Sequence, residues 1–299
     1  MPFSLSPTPT SWFVCLASLS LMGLVVGMHV GRSRRRRARL WLVLAGAFMM
    51  WWLVLIKQPA VAVRVLPVQW LSFVEGVGAV PAYMLLCGLV WGVSRLPRQK
   101  RLALWSAALG GVFLINGGMW MLQPAPPASS FDHEYRPVVL QSQDFSCVPA
   151  ACATALNRIG LPTDEATMAR LTRTRAGTGS TLLRAMEGLR QRLEGSDRRV
   201  VLVAPSYQEL VRLPMPALTP LRFEPVRRHM VAVLDVDKQG VRLIDPMRGE
   251  LAMSRESFMR AFRRQVLIFE PTDRGVTPRL ADSTNPLAIA DDSPDEATP

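Results

Sequence analysis

Cys147 has the surroundings of a nucleophile. It stands where the polar run Gln141-Ser142-Gln143-Asp144-Phe145-Ser146 gives way to CVPAACATALNRIG, a run of small and apolar residues that reads as a helix ending at Gly160. The partial positive charge at a helix N-terminus favours thiolate over thiol. The thiolate is the form that attacks a carbonyl. Pro149 suits an early helical turn, where a missing N–H costs nothing. By position alone, a buried structural cysteine fits the site as well as a nucleophile does. Cys152 is expected to be a core residue. On a helix it lies about 7.5 Å further along the axis, beyond the roughly 7 Å Cα limit for a disulfide. Cys15 and Cys87 fall in apolar runs, and four cysteines are too few for a disulfide scaffold.

A cysteine nucleophile needs a base, and the chain has three histidines, His29, His133 and His229. His229 begins the strand-like run HMVAVLDVD, and Asp245 ends the next one, GVRLIDP. A turn at Lys238-Gln239-Gly240 makes the two runs a hairpin, which brings His229 and Asp245 to one end. A carboxylate there fixes the imidazole tautomer and stabilises the imidazolium. Taken singly, His229 reads as a strand-end residue beside Arg227 and Arg228, and Asp245 as a turn residue before Pro246. Their joint placement is what points to chemistry. Gln141 and Gln143 both precede Cys147, and either could supply an oxyanion donor. His133 sits in FDHEY without a second histidine or a ligand spacing, so no metal site is expected.

The elements that must position these residues read as helices followed by strands. PTDEATMARLTRT carries a Thr cap and acidic residues in its first turn, and Ser180 or Thr181 caps TLLRAMEGLRQRL. RRVVLVAP and MPALTPL are strands, the latter an edge strand by its prolines. The hairpin follows, then a short helix in SRESFMRAF and a last strand in QVLIFEP. Helices first and an antiparallel sheet second make an α+β domain.

The first 122 residues are different. Overall, 49% of the chain is hydrophobic and only 19% charged, less charge than the quarter or so of a soluble domain. Apolar runs at 11–31, 40–56, 65–93 and 102–122 suit four membrane spans. The third is placed at 76–94, with Glu75 at the headgroups and Trp70 in the interface. Asn116 is expected to pack between helices. Six arginines lie between Arg32 and Arg39, and Arg95, Arg98, Lys100 and Arg101 form a second basic loop. The positive-inside rule puts both loops in the cytoplasm, and the N-terminus and everything after Leu122 outside. Ten of the 35 basic residues are thus topology signals, and the net charge of +12 does not mark a nucleic-acid surface. No basic n-region precedes the first span, so a cleaved signal peptide is not expected. The expected organisation is a four-span region at 1–122, a Pro-rich linker at 123–131, a folded domain at 132–271 and a disordered acidic tail at 272–299.

VVLQSQDFSCVPAACATALNRIGLP resembles the start of the bacteriocin-processing, double-glycine-leader cysteine peptidases, a papain-like family. That family places a Gln six residues before its catalytic Cys and then a helix ending in Gly, which Gln141, Cys147 and Gly160 match. RAGTGSTLLRAMEGLRQ resembles its Gly-Thr-Ser loop and following helix. LPMPALTPL and HMVAVLDVDKQGVRLIDPMRGE resemble its later strands and Asp-Pro turn. The resemblance covers residues 138–271. It implies Cys147 as nucleophile, His229 as general base and acid, Asp245 as the group orienting His229, and Gln141 as oxyanion donor, with no cofactor.

Three features depart from the family. Ser146-Cys147-Val148 replaces the usual Asp-Cys-Gly and alters the rim of the site. No GxxxxGK[ST] phosphate loop occurs in the sequence, so any exporter is a separate partner. The domain is placed outside, whereas exporter-linked members work in the cytoplasm. The expectation is a papain-like cysteine peptidase on a bacterial inner-membrane anchor, acting on a peptide or protein substrate. The competing account is a peptide-binding module on the same anchor that does not cut.

Overall fold

The computed structural model describes residues 8–33, 35–222 and 228–272. The expected disordered tail falls almost wholly outside these residues. The N-terminal region opens with α1 (Pro9–Ser33), α2 (Arg35–Lys57), α3 (Pro59–Val65) and α4 (Val68–Val74), followed by α5 (Val80–Val93) and α6 (Pro97–Leu122). Among the described residues three helices are long and apolar enough to cross a membrane, at Pro9–Ser33, Ala38–Lys57 and Pro97–Leu122. The third expected span is shorter. Gly76 takes φ +85° and residues 76–79 form turns, so α5 starts only at Val80 and has 14 residues. That is about 21 Å of helix against a hydrocarbon core of about 30 Å. The basic run expected as a loop is mostly helical. Arg32 lies in the last turn of α1, and residues 35–39 open α2, as arginine's good helix propensity allows.

Glycines set the packing of α1 on α5. A Cβ at Gly27 would lie 2.5 Å from the Leu85 carbonyl oxygen, and one at Gly92 would lie 2.8 Å from Gly31 Cα. Small residues of this kind let membrane helices approach backbone to backbone. Gly27→Val is expected to lower the Tm of the full chain in detergent micelles by several degrees, because overpacking costs about 1–3 kcal/mol. Gly46→Val is the control, since nothing lies within 4 Å of the added Cβ there. Equal shifts for the two variants would overturn this account. Helix α6 turns Gly110, Leu114, Gly118 and Met121 inward. Asn116, two residues past Leu114, is therefore about 200° around the helix and exposed, not packed between helices as expected.

The remaining elements are α7 (Cys147–Arg158), α8 (Glu165–Leu171), α9 (Leu182–Leu193), β1 (Arg198–Val203), α10 (Tyr207–Leu210), β2 (Ala217–Arg222), β3 (Arg228–Val236), β4 (Gly240–Asp245), β5 (Gly249–Ser254), α11 (Arg255–Ala261) and β6 (Val266–Pro271). The strands form one antiparallel sheet in the order β1-β6-β2-β3-β4-β5. Helices α7 and α9 cover one face, where Met230, Ala232 and Ile244 are buried. The short helix α11 covers the other, over Val231, Val233 and Leu243. This alternation along β3 follows from the two-residue period of a strand.

Three local expectations are corrected. Strand β2 is interior, between β6 and β3, although it carries Pro220. Its ladder with β6 is reduced to the pair Leu218↔Leu267, and a proline is tolerated where one side of a strand lacks a full ladder. Strand β5 was not expected, because GELAMS has weak strand character; it forms by pairing with β4 from Asp245↔Gly249 outward. The cap of α8 is Asp164, whose carboxylate accepts from Thr167 N at 2.6 Å, not the preceding threonine.

The two regions share a core. Trp52, Leu55, Ala62, Val68 and Leu71 of the N-terminal helices pack in one cluster with α7 and α9. The loop at 172–181 supplies polar contacts to the same junction. Arg173 lies 4.0 Å over the Phe73 ring and donates to Ser72 Oγ at 2.5 Å. Arg175 Nε donates to the Trp120 carbonyl at 3.3 Å. Arg184, 4% exposed, lies 4.2 Å over the Trp120 ring. Burial lowers Arg173 and Arg184 to about 10 each, opposed by the charge of Glu187 at the first and of Glu75 at the second. Cation–π contact is one of the few ways to hold a partly desolvated guanidinium.

Candidate active site

Helix α7 begins at Cys147. The turn before it is held by Ser146, fully buried, whose Oγ donates to the Gln143 carbonyl at 2.9 Å and accepts from Gln143 N at 3.1 Å. Further along α7, Thr154 Oγ1 accepts from Val139 N at 2.9 Å and Asn157 Nδ2 donates to the Arg136 carbonyl at 2.7 Å. These bonds lay residues 136–143 along the helix and bring Gln141 back toward its N-terminus. Phe145 is fixed from the other side by Gly179, which at φ +65° approaches so closely that a Cβ would lie 2.9 Å from the Phe145 carbonyl oxygen.

His229 and Asp245 meet as the hairpin requires. The β3–β4 ladder runs out at Ala232↔Ile244, so His229 and Asp245 both lie just past its last pair, at the same end of the hairpin. His229 Nε2 donates to Asp245 Oδ1 at 2.7 Å. The same Oδ1 accepts from Met247 N at 2.7 Å, so the carboxylate is held by its own turn. Gln141 N donates to the Pro246 carbonyl at 2.8 Å, which ties the loop before α7 to the turn carrying Asp245.

The third contact completes a chain. The Cys147 thiol interacts with the His229 side chain, whose hydrogen-bonding and charge both act to lower it. Nε2 is engaged with Asp245, so Nδ1 is the ring nitrogen left for the sulfur. Burial pushes the Cys147 thiol up, but the hydrogen bond and charge of His229, with backbone groups of Met230 and Val148, outweigh it and hold the thiol below its ordinary value. Burial pushes His229 down, but Cys147 and Asp245 together raise it above an ordinary imidazole. The opposite shifts favour a thiolate beside an imidazolium. Cys152 is fully buried and burial raises its thiol strongly, so the two cysteines of one helix have opposite characters.

Gln141 and Gln143 separate here. Gln143 Nε2 donates to the Ser130 carbonyl at 2.8 Å, so its amide is engaged with the segment before the loop. Gln141 Nε2 gives one proton to the Gln143 carbonyl at 3.0 Å. His133 is exposed, with Nε2 3.1 Å from the Ala128 carbonyl, and takes no part. Among the described residues no cluster of three His, Cys, Asp or Glu side chains could hold a metal.

Glu165 was not anticipated. It is fully buried, and its carboxylate accepts from Ser142 Oγ at 2.6 Å, Ser142 N at 3.1 Å and Asp132 N at 3.2 Å. It therefore clamps the residue next to Gln141 from the start of α8. Its place in a first helical turn gave it a sufficient local explanation, and nothing in the spacing pointed 23 residues back to Ser142.

A family model described as the peptidase C39 family matches residues 135–274. An uncharacterized protein of Methanothermobacter thermautotrophicus is 31% identical over 141 residues, which cover 44% of this chain and 87% of that protein. A protein of Methanothermobacter marburgensis is 33% identical over 140 residues, with the same shares of the two chains. Among solved structures, a double glycine motif protease from an AMS/PCAT transporter, in complex with its leader peptide, is 20% identical. It covers 47% of this chain and 94% of its own, with a TM-score of 0.39. The peptidase domain of Streptococcus ComA is 18% identical and covers 47% of this chain and all of its own, with a TM-score of 0.40.

Proposed function

Because the chain belongs to the peptidase C39 family and is a cysteine peptidase, we propose that Cys147, His229 and Asp245 are its catalytic triad and Gln141 its oxyanion donor. The observation that carries this reading is the continuous chain from thiol to imidazole to carboxylate. The Cys147 thiolate attacks the scissile carbonyl carbon. The oxyanion is received by the Cys147 N–H, which as the first residue of a helix has no intrahelical acceptor, and by the second Nε2 proton of Gln141. His229 Nδ1–H protonates the leaving amine and the C–N bond breaks, leaving a thioester. Water then attacks the thioester, giving its proton to His229, and the acid leaves as the Cys147 thiolate reforms. Asp245 keeps Nε2 protonated and the ring turned to the sulfur throughout.

The same proposal extends to place. Helices α1, α2 and α6 anchor the enzyme in a bilayer, and the shorter α5, packed parallel to α1, carries the chain back across between α2 and α6, with residues 123–131 linking the anchor to the peptidase domain at 132–271. The basic residues at 32–39 and 95–101 lie on the cytoplasmic side, so the peptidase faces outward. Its substrate is a peptide or protein reaching that face, supplied by a separate exporter.

Labelling with a membrane-impermeant maleimide tests both parts. In cells expressing the chain, Cys147 is expected to react from outside, and at a pH below the ordinary thiol range, since its thiol is depressed. Cys147→Ser removes the adduct. Reaction only after lysis would place the peptidase in the cytoplasm. No reaction in either state would show an inert thiol and leave a peptide-binding module that does not cut.

A further inference from the structure

The side-chain amide of Gln141 is held at one end only. Its Nε2 donates to the Gln143 carbonyl at 3.0 Å, and its Oε1 is buried without a partner. The aim of the second Nε2 proton is therefore set by the main chain at Ser142 and Gln143. Glu165 grips that stretch. One of its oxygens accepts from Ser142 N at 3.1 Å, and the other accepts from Ser142 Oγ at 2.6 Å and from Asp132 N at 3.2 Å. The Asp132 carbonyl in turn accepts from Ala166 N at 3.2 Å, so α8 and the segment leaving the anchor hold each other at two points. Pro-rich composition makes residues up to 131 a spacer, but the fold uses the last of them as support. The Ser130 carbonyl accepts from Gln143 Nε2 at 2.8 Å. Phe131, buried, meets the Phe145 ring edge-on, with centroids 6.3 Å apart.

A buried carboxylate is costly unless donors fill its lone pairs. Here the donors come from two places far apart in the chain, the loop before Cys147 and the segment after α6. Hydrogen bonds to an ionised acceptor are roughly twice as strong as neutral ones, so Glu165 fixes the two segments to each other more firmly than a neutral side chain could. We propose that Glu165 is a positioning residue for the oxyanion donor: it clamps the Gln141 loop to the segment that leaves the membrane anchor, and so aims the Gln141 amide. The inference rests on the oxyanion role given to Gln141. Glu165 does not touch the reacting atoms and acts only through the loop. A donor already aimed needs no reorganisation as charge develops on the carbonyl oxygen. With the clamp released the amide turns freely, and the Cys147 N–H meets the oxyanion alone. Thiolate formation is a separate matter. It depends on His229 and on backbone groups of Met230 and Val148, none of which belongs to this loop.

Glu165→Gln keeps the shape of the side chain but sets an NH2 group against the Ser142 N–H or the Asp132 N–H, donor against donor, whichever way the amide is turned. The test uses the full chain in micelles and a quenched fluorescent peptide that the wild type cleaves. In Glu165→Gln, kcat is expected to fall about tenfold with KM little changed, because the interaction lost is made in the transition state. Alkylation of Cys147 by iodoacetamide, a displacement at a saturated carbon that builds no oxyanion, is expected to keep its wild-type rate. Gln141→Ala alone is expected to lower kcat about 10²-fold, and Glu165→Gln is expected to add nothing to it, since it acts through the same amide. Ser142→Ala, at an exposed residue, removes one donor to the carboxylate and tests the clamp even where Glu165→Gln does not fold; kcat is expected to fall about threefold, again with alkylation unchanged. Unchanged kcat in a folded Glu165→Gln protein or in Ser142→Ala would overturn the positioning role. So would an equal fall in alkylation and cleavage, or full additivity with Gln141→Ala. Wild-type kcat in Gln141→Ala would instead remove the oxyanion reading itself, and the clamp would have no donor to aim.

Discussion

Cys147→Ala is expected to abolish peptide cleavage, lowering kcat by roughly 10⁴- to 10⁶-fold, the range seen when a covalent nucleophile is removed. No other group can take over the attack. Cys152 is buried on the same helix with its thiol strongly raised, and Cys15 and Cys87 lie in α1 and α5. The fold is expected to survive, because Cys147 opens a helix whose next turn already carries Ala150 and Ala151 in the core. The measurement is turnover of a quenched fluorescent peptide library by the full chain in micelles, beside far-UV circular dichroism of both proteins. Retention of more than a tenth of wild-type turnover by a folded Cys147→Ala protein would sink the nucleophile assignment.

Asp245 carries the second large effect. Asp245→Ala removes the acceptor for His229 Nε2 and for Met247 N together. The imidazole then loses its orientation and the imidazolium its counter-charge, so kcat is expected to fall about 10²- to 10⁴-fold, the range of general acid–base contributions. Asp245→Asn separates the two roles. The amide oxygen can still accept from Nε2, so turnover is expected to fall less. The charge that helps raise His229 is gone, however, so its proton leaves at lower pH. Activity needs the thiolate and the imidazolium at once. It rises as Cys147 ionises and falls as His229 loses its proton. The falling limb of the pH–rate profile should therefore move to lower pH in Asp245→Asn. An unmoved limb would mean that the carboxylate does not support the protonated ring.

Much of the site was legible because it depends on short-range rules. Polar residues followed by small apolar ones put a helix start at Cys147, and helix geometry separated Cys147 from Cys152. A Gly-containing turn between two β-branched runs brought His229 and Asp245 to one end of a hairpin, and the structure joins them at 2.7 Å. The apolar runs of the first 122 residues likewise announced helices, and three of them are long enough to span.

What the sequence by itself determined is thus the identity of the chemical groups and the local frame that presents them. Tertiary structure decided which groups are free to act. Gln141 and Gln143 are the same residue type two positions apart, and only the fold gives their amides different partners, the Gln143 carbonyl for the first and the Ser130 carbonyl, 13 residues back, for the second. Glu165 reaches back 23 residues to hold the loop, and Pro220 sits in an interior strand because β6 returns from the end of the domain to flank it. The burial of Arg173 and Arg184 against α4 and α6 likewise joins residues 64 to 100 positions apart. Periodicity and capping act over a few residues along the chain. Desolvation, counter-charge and strand order come from groups far apart in sequence, and these exist only once the chain has folded.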